Sequence, residues 1–183
     1  MKTLVVYTSQ TGFTKRYAEW IAEELQAEIV ELKDAKRKPD DFFTSFDAII
    51  YGGWAMGGTI VELKWFLEKT AVWKDKKLAV FCVGASPAAN LDVDRVLHDI
   101  LTDEQRTYMK VFYCQGGLNY DKMKLPSKMM MKAFVTMLKK KKDATQMERD
   151  MAAMISNSYD ISDKCYVEPI VAYVKDNERN IIE

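Results

Sequence analysis

Thr3-Leu4-Val5-Val6-Tyr7-Thr8-Ser9-Gln10-Thr11-Gly12-Phe13-Thr14, followed at once by the amphipathic run Lys15 to Leu25, decides the fold of this 183-residue chain. The first five residues are aliphatic, β-branched or aromatic, which reads as a buried strand. The next seven are rich in hydroxyls and contain a glycine, which reads as a turn. The turn opens a helix, so first-turn N–H groups point into it and favour an anion. In an open α/β sheet the carboxyl end of a strand is also where ligands bind.

Working outward, Ala27-Glu28-Ile29-Val30-Glu31-Leu32 alternates apolar and charged residues and predicts a strand near a sheet edge. Lys33 to Lys38 is a charged connector, and Phe42, Phe43 and Phe46 fit one short turn under the sheet. Asp47 to Tyr51 predicts a third strand that runs into a glycine-rich loop, Gly52 to Gly58. Ile60, Leu63, Phe66 and Leu67 share one face at helical spacing, so a helix is expected from Thr59 to about Thr70. Lys77 to Val83 is an almost wholly apolar fourth strand ending in Gly84-Ala85-Ser86-Pro87-Ala88, with a helix over 92–101. Met109 to Cys114 is a fifth strand. A Met- and Lys-rich helix over 128–142, another over 145–155, a polar loop over 156–163 and a closing helix over 167–175 complete the order.

Strand and helix alternate, with glycine repeatedly placed just after a strand. That pattern predicts a parallel sheet with helices on both faces and one domain over 1–183. The loops after the first, third and fourth strands then share one rim and together make a site. The first loop lacks the Gly-Lys-Ser/Thr ending of a nucleotide P-loop, and no G-x-G-x-x-G follows the strand. Its hydroxyls and backbone donors, with no required cation, suit a single terminal phosphate.

Lys+Arg and Asp+Glu balance at 27 each. That argues against nucleic-acid binding, which calls for a basic excess. No apolar run reaches the length of a membrane span, and the chain enters its first strand without a signal-like h-region. Cys82, Cys114 and Cys165 show no metal-ligand spacing, so no metal site is expected and reduced thiols in a cytoplasmic setting are.

Thr8 to Thr14 resembles the T/S-x-T-G-x-T phosphate loop of flavodoxins, and Phe46-Asp47-Ala48-Ile49-Ile50-Tyr51-Gly52 is similar to that family's third-strand signature. The resemblance implies a flavodoxin-like three-layer α/β sandwich with a five-stranded sheet of order 2-1-3-4-5 and FMN as cofactor. It assigns cofactor binding to Thr8, Ser9, Gln10, Thr11, Gly12, Phe13 and Thr14 in the first loop. In the second loop it assigns Gly53, Trp54, Ala55, Met56 and Gly57, and in the third Gly84, Ala85 and Ser86. Further along, Gly116-Gly117-Leu118-Asn119-Tyr120 followed by Lys128-Met129-Met130-Met131-Lys132 resembles quinone-dependent protoporphyrinogen dehydrogenases and their flavodoxin-domain relatives. That branch implies oxidation of a tetrapyrrole precursor, with electrons passed to a quinone or a redox-partner protein.

Flavodoxins that act purely as carriers are acidic, and this chain is neutral, which favours an enzyme over a non-enzymatic carrier. A chain of this fold that has lost its cofactor and serves only as an interaction module is a third reading. Trp54 is read either as a platform for the flavin ring or as loop-base packing, and Tyr120 as a second aromatic at the rim. Lone His98 is read as a surface or packing residue. The helix over 128–142 has three readings: core cover, a lid over the flavin, or a peripheral contact with the inner membrane surface through its lysines.

Overall fold

The computed structural model describes residues 1–176. Strands β1 (Thr3–Tyr7), β2 (Glu28–Glu31), β3 (Ala48–Met56), β5 (Lys77–Gly84) and β6 (Met109–Gln115) form a parallel sheet in the order β2-β1-β3-β5-β6. A short antiparallel strand, β4 (Thr59–Ile60), folds back on the end of β3. The spatial order of the parallel strands is therefore the one expected, and β2 lies at the edge as its alternating pattern requires. Helices α1 (Phe13–Leu25), α2 (Leu32–Ala35), α3 (Asp40–Thr44), α4 (Leu63–Thr70), α5 (Leu91–Asp99) and α6 (Asp103–Arg106) connect the strands.

Period-2 alternation along the strands builds two separate cores, one on each face. Leu4 and Val6 of β1, Ile49 and Tyr51 of β3, and Leu78, Val80 and Cys82 of β5 join Phe43, Phe66 and Trp73 on one face. Val5 and Tyr7, Ala48 and Ile50, and Ala79, Phe81 and Val83 join Tyr17, Ile21, Ile170 and Val174 on the other. The last two belong to α9 (Glu168–Lys175), which docks beside α1. Strands apolar at every position are explained by this double cover.

Two local expectations are overturned. The stretch expected to be a glycine loop continues as strand through Met56, and Gly57 and Gly58, with φ of 60° and 78°, make a tight turn. Two consecutive left-handed residues define the hairpin turn that matches strand twist. The residues expected to open a helix at Thr59 instead form β4, and α4 starts only at Leu63. Ile60 is buried against the backbone of Gly53 rather than on a helix face.

Beyond β6 the chain builds a cap over the sheet's carboxyl rim. It comprises β7 (Gly117–Leu118), α7 (Leu125–Lys140), α8 (Gln146–Met154) and β8 (Tyr159–Asp160), with β7 and β8 paired antiparallel. The polar segment expected to be plain loop thus supplies β8. Leu118, Val135, Leu138, Ala152 and Ile155 give the cap its own small core. A capping box at Thr145 and Glu148 starts α8. The fully buried Tyr17 ties α1 to the base of the cap, donating to the Gln115 carbonyl at 2.5 Å and accepting from the Asp163 N–H at 3.1 Å.

Candidate functional site

The first loop leaves β1 at the point where the sheet order reverses, between β1 and β3, where open α/β sheets form a crevice. Thr8 N–H is bonded to the Gly52 carbonyl at 2.9 Å, which fixes the loop's start to β3. Ser9 Oγ accepts from Gly12 N–H at 3.2 Å, and Gly12 turns into α1 with φ of 103°. A left-handed entry of this kind favours glycine, which has no Cβ to strain.

What remains in the loop is a set of donors without acceptors. Arg16 N–H reaches the Gly12 carbonyl at 3.0 Å, but the N–H groups of Phe13, Thr14 and Lys15 precede the first helical bond. The hydroxyls of Thr8, Thr11 and Thr14 also have no hydrogen-bond partner among the described residues. Of the nearby cations, Lys15 lies 3.7 Å from Glu19 and Arg16 bonds Asp160 at 2.6 Å, while Lys122 lines the polar hollow beside Thr11 and Gly12. An anion here is held by hydrogen bonds and the helix end, which fits one phosphate group.

A cleft extends from this loop along the rim. Gln10, Thr11, Phe13 and Thr14 form one end, Trp54, Ala55 and Met56 of the β3–β4 hairpin one side, and Val83 of β5 with Ala85 of the third loop the floor. Leu118 and the cap residues Met123, Ser127, Met130 and Met131 close the opposite side. The cavity volume of the cleft is about 100 Å³. That is below the range of about 300–1,000 Å³ usual for small-molecule sites, so a multi-ring ligand enters only if the cap wall gives way. Met130 and Met131 line its cap side, and unbranched methionine side chains of this kind adapt to a ligand by changing rotamer.

The structure thus brings Gln10, Thr11, Phe13, Thr14, Trp54, Ala55, Met56 and Ala85 to one cleft. Thr8, Ser9 and Gly12 shape the loop behind it. Gly53, Gly57 and Gly84 do not line it. A Cβ on Gly53 would meet Ile60 at 2.6 Å, and one on Gly84 would meet the Tyr113 hydroxyl at 2.2 Å, so protein fills the space beside both. Gly57 is the exposed hairpin turn. Ser86 faces a neighbouring apolar chamber. Its carbonyl accepts from Tyr113 Oη at 2.7 Å, and the Ala85 carbonyl accepts from Tyr159 Oη at 2.6 Å. Burial pushes the Tyr159 hydroxyl up to about 12, so it stays protonated as a donor.

Tyr120 is not a rim platform. Its ring packs in the cap core and its hydroxyl donates to the Ile155 carbonyl at 2.6 Å. His98 sits exposed beside Asp99 on α5, away from the cleft. Cys82 and Cys114 are buried, Cys165 is exposed, and no metal-ligating cluster occurs among the described residues. The cleft residues not anticipated are Val83, Gly117, Leu118, Met123, Ser127 and the specific pair Met130 and Met131. The sequence signal for them was the run of three methionines, whose orientation only the cap's folding decides.

Comparison with known proteins gives the family. A model described as Flavodoxin domain matches residues 4–145. Flavodoxin FldP of Pseudomonas aeruginosa is 28% identical over 116 residues, which covers 56% of this chain and 61% of that protein. The chain thus aligns with less than two thirds of this curated relative. Among solved structures, a WrbA-like flavodoxin from Agrobacterium tumefaciens superposes with a TM-score of 0.49 and 23% identity, covering 69% of this chain and 87% of that one. A flavoprotein in complex with FMN from Lactobacillus acidophilus gives 0.42 and 20%, covering 62% and 91%.

Proposed function

This chain belongs to the flavodoxin domain family, and from that membership we propose that it holds one FMN along the rim cleft and transfers electrons between an organic substrate and a quinone or redox-partner protein. FMN supplies the redox chemistry. The observation that carries the reading is the set of unpartnered donors at Thr8 to Lys15, placed at the head of a cleft walled by Trp54, Ala85 and Met131.

In this reading the N–H groups of Phe13, Thr14 and Lys15 donate to the phosphate oxygens, joined by the hydroxyls of Thr8, Thr11 and Thr14. Trp54 offers its indole to the ring, and its backbone is held because its carbonyl accepts from Val61 N–H at 3.0 Å. Met123, Met130 and Met131 limit water on the cap side. The third loop is pinned by Tyr113 and Tyr159, so the ring's floor is rigid before the ring arrives.

The proposed substrate class is a tetrapyrrole precursor of the protoporphyrinogen type, supported by the Gly116–Tyr120 segment and the Met- and Lys-rich α7 behind it. The proposed setting is cytoplasmic, at the inner membrane surface. Leu125, Met129 and Met137 of α7 are exposed, and lysines occupy 122, 124, 128, 132 and 139–142 with no carboxylate between 122 and 142. Such a face suits an anionic leaflet. No helix among the described residues is long and apolar enough to cross a membrane.

A second reading, a non-enzymatic carrier, is favoured by the likeness to a protein named as a flavodoxin. Anaerobic turnover of protoporphyrinogen with a menaquinone analogue separates the two. Turnover by the FMN-loaded protein is expected. Its absence, with rapid electron exchange with ferredoxin-type proteins, would make the chain a carrier.

A further inference from the structure

Behind the third loop lies a second cavity that the FMN reading does not use. Its volume is about 540 Å³. One wall is the loop itself, from Ala85 to Asn90. The other is the cap, through Met131 and Phe134 of α7 and Met147, Met151 and Met154 of α8. Tyr159 closes the base, held by its bond to the Ala85 carbonyl. Ala85 and Met131 line both this chamber and the rim cleft, so the two spaces meet across one side chain and one loop residue.

The chemistry of the walls selects a class of ligand. Methionine sulfur and the Phe134 ring favour a flat, polarisable partner, through contacts of thioether and ring edge. Among the described residues, no lysine or arginine lines the chamber, and the charged group there is Asp150, whose carboxylate already accepts from Gln146 Nε2 at 2.8 Å. An anionic ligand would enter without a counter-ion and close to this carboxylate, at a desolvation cost. Met147 is 67% exposed and Phe134 39% exposed, so a ring seated here also removes apolar surface from water.

We infer that this chamber is a binding site for a neutral aromatic or quinonoid ring compound, seated against the opposite side of the third loop from the FMN cleft. The inference rests on the FMN reading only for what such a ring would exchange electrons with; its binding stands on the chamber alone. α8 is the essential wall, and the third loop, with its carbonyls capped by Tyr113 and Tyr159, is a fixed partition between the two sites.

The test is calorimetric titration of uncharged 2-methyl-1,4-naphthoquinone into the full chain, with and without FMN. Met147→Trp narrows the mouth, and Phe134→Ala removes the aromatic wall. Neither residue lines the rim cleft. Saturable binding is expected in both forms of the protein, weakened at least tenfold in each variant, with FMN affinity and melting temperature unchanged. A sulfonated naphthoquinone should bind at least tenfold more weakly than the uncharged one. No saturable binding, wild-type affinity in either variant, or binding of the sulfonate as tight as that of the uncharged quinone would overturn the assignment. If FMN fails to bind while the naphthoquinone results hold, the flavin reading falls and the chamber stands.

Discussion

Thr11 and Thr14 lie at the head of the rim cleft with hydroxyls that bond nothing else among the described residues, while Lys15 and Arg16 beside them face carboxylates. Replacing both by alanine should weaken FMN by roughly 0.5–1.5 kcal/mol per lost hydrogen bond, and up to about 3 where the partner is charged. Fluorescence titration of the FMN-free protein measures this, and an unchanged affinity would mean the phosphate lies elsewhere. Gly12→Ala probes the same loop differently. No atom lies within 4 Å of the added Cβ, so the cost is purely conformational, from φ of 103°, and should be about 1–2 kcal/mol in thermal unfolding. This loop was legible in the sequence because its hydroxyls, its glycine and its helix are consecutive. Tyr120 was not, because a rim tyrosine and one turned inward to a carbonyl 35 residues away share the same local sequence.

The β3–β4 hairpin shows how two patterns compete within one element. Ile60, Leu63, Phe66 and Leu67 have helical spacing, but Gly57-Gly58 offers two left-handed positions in succession, and the hairpin takes Ile60. Gly57→Asn should therefore be tolerated, since Asn-Gly suits this turn, whereas Gly57→Val should destabilise by at least about 1 kcal/mol. In the cap, Thr145→Ala removes the hydroxyl that accepts from Glu148 N–H at 3.2 Å. Losing that N-cap should cost about 0.5–2 kcal/mol. Faster amide hydrogen exchange confined to α8 would mark it, and a uniform change across the sheet would contradict the view of the cap as a separate unit. The helical pattern revealed α7 and α8, but not the face each turns to the rim. That depends on β7 and β8, two residues each, which are too short for periodicity to register.

At the scale of the molecule, two cores hold the parallel sheet and a third holds the cap on its carboxyl rim. The sheet order was readable because apolar strands, helices and glycine-ended loops alternate through the first two thirds of the chain. The cap's attachment was not, since it rests on single long-range contacts such as Arg16 to Asp160. Burial pushes the Asp160 carboxyl up, but hydrogen bonds from Ser162 and Arg16 outweigh it and hold the group below its ordinary value. A depressed folded value stabilises the attachment above the ordinary carboxylate range, and that contribution is lost as pH falls through the folded value, below about pH 4. Loosening of the β7–β8 amides in hydrogen exchange on acidification should accordingly precede loss of the sheet, and Asp160→Asn should abolish that early step. On the proposed reading, Thr8 to Lys15 grips one terminal phosphate of a flavin lying along this rim. Parallel titration with FMN and with riboflavin, which lacks the phosphate, tests it most directly. One FMN per chain, bound at least tenfold more tightly than riboflavin, is expected; equal affinity for the two, or binding of neither, would rule out a phosphate grip at this loop.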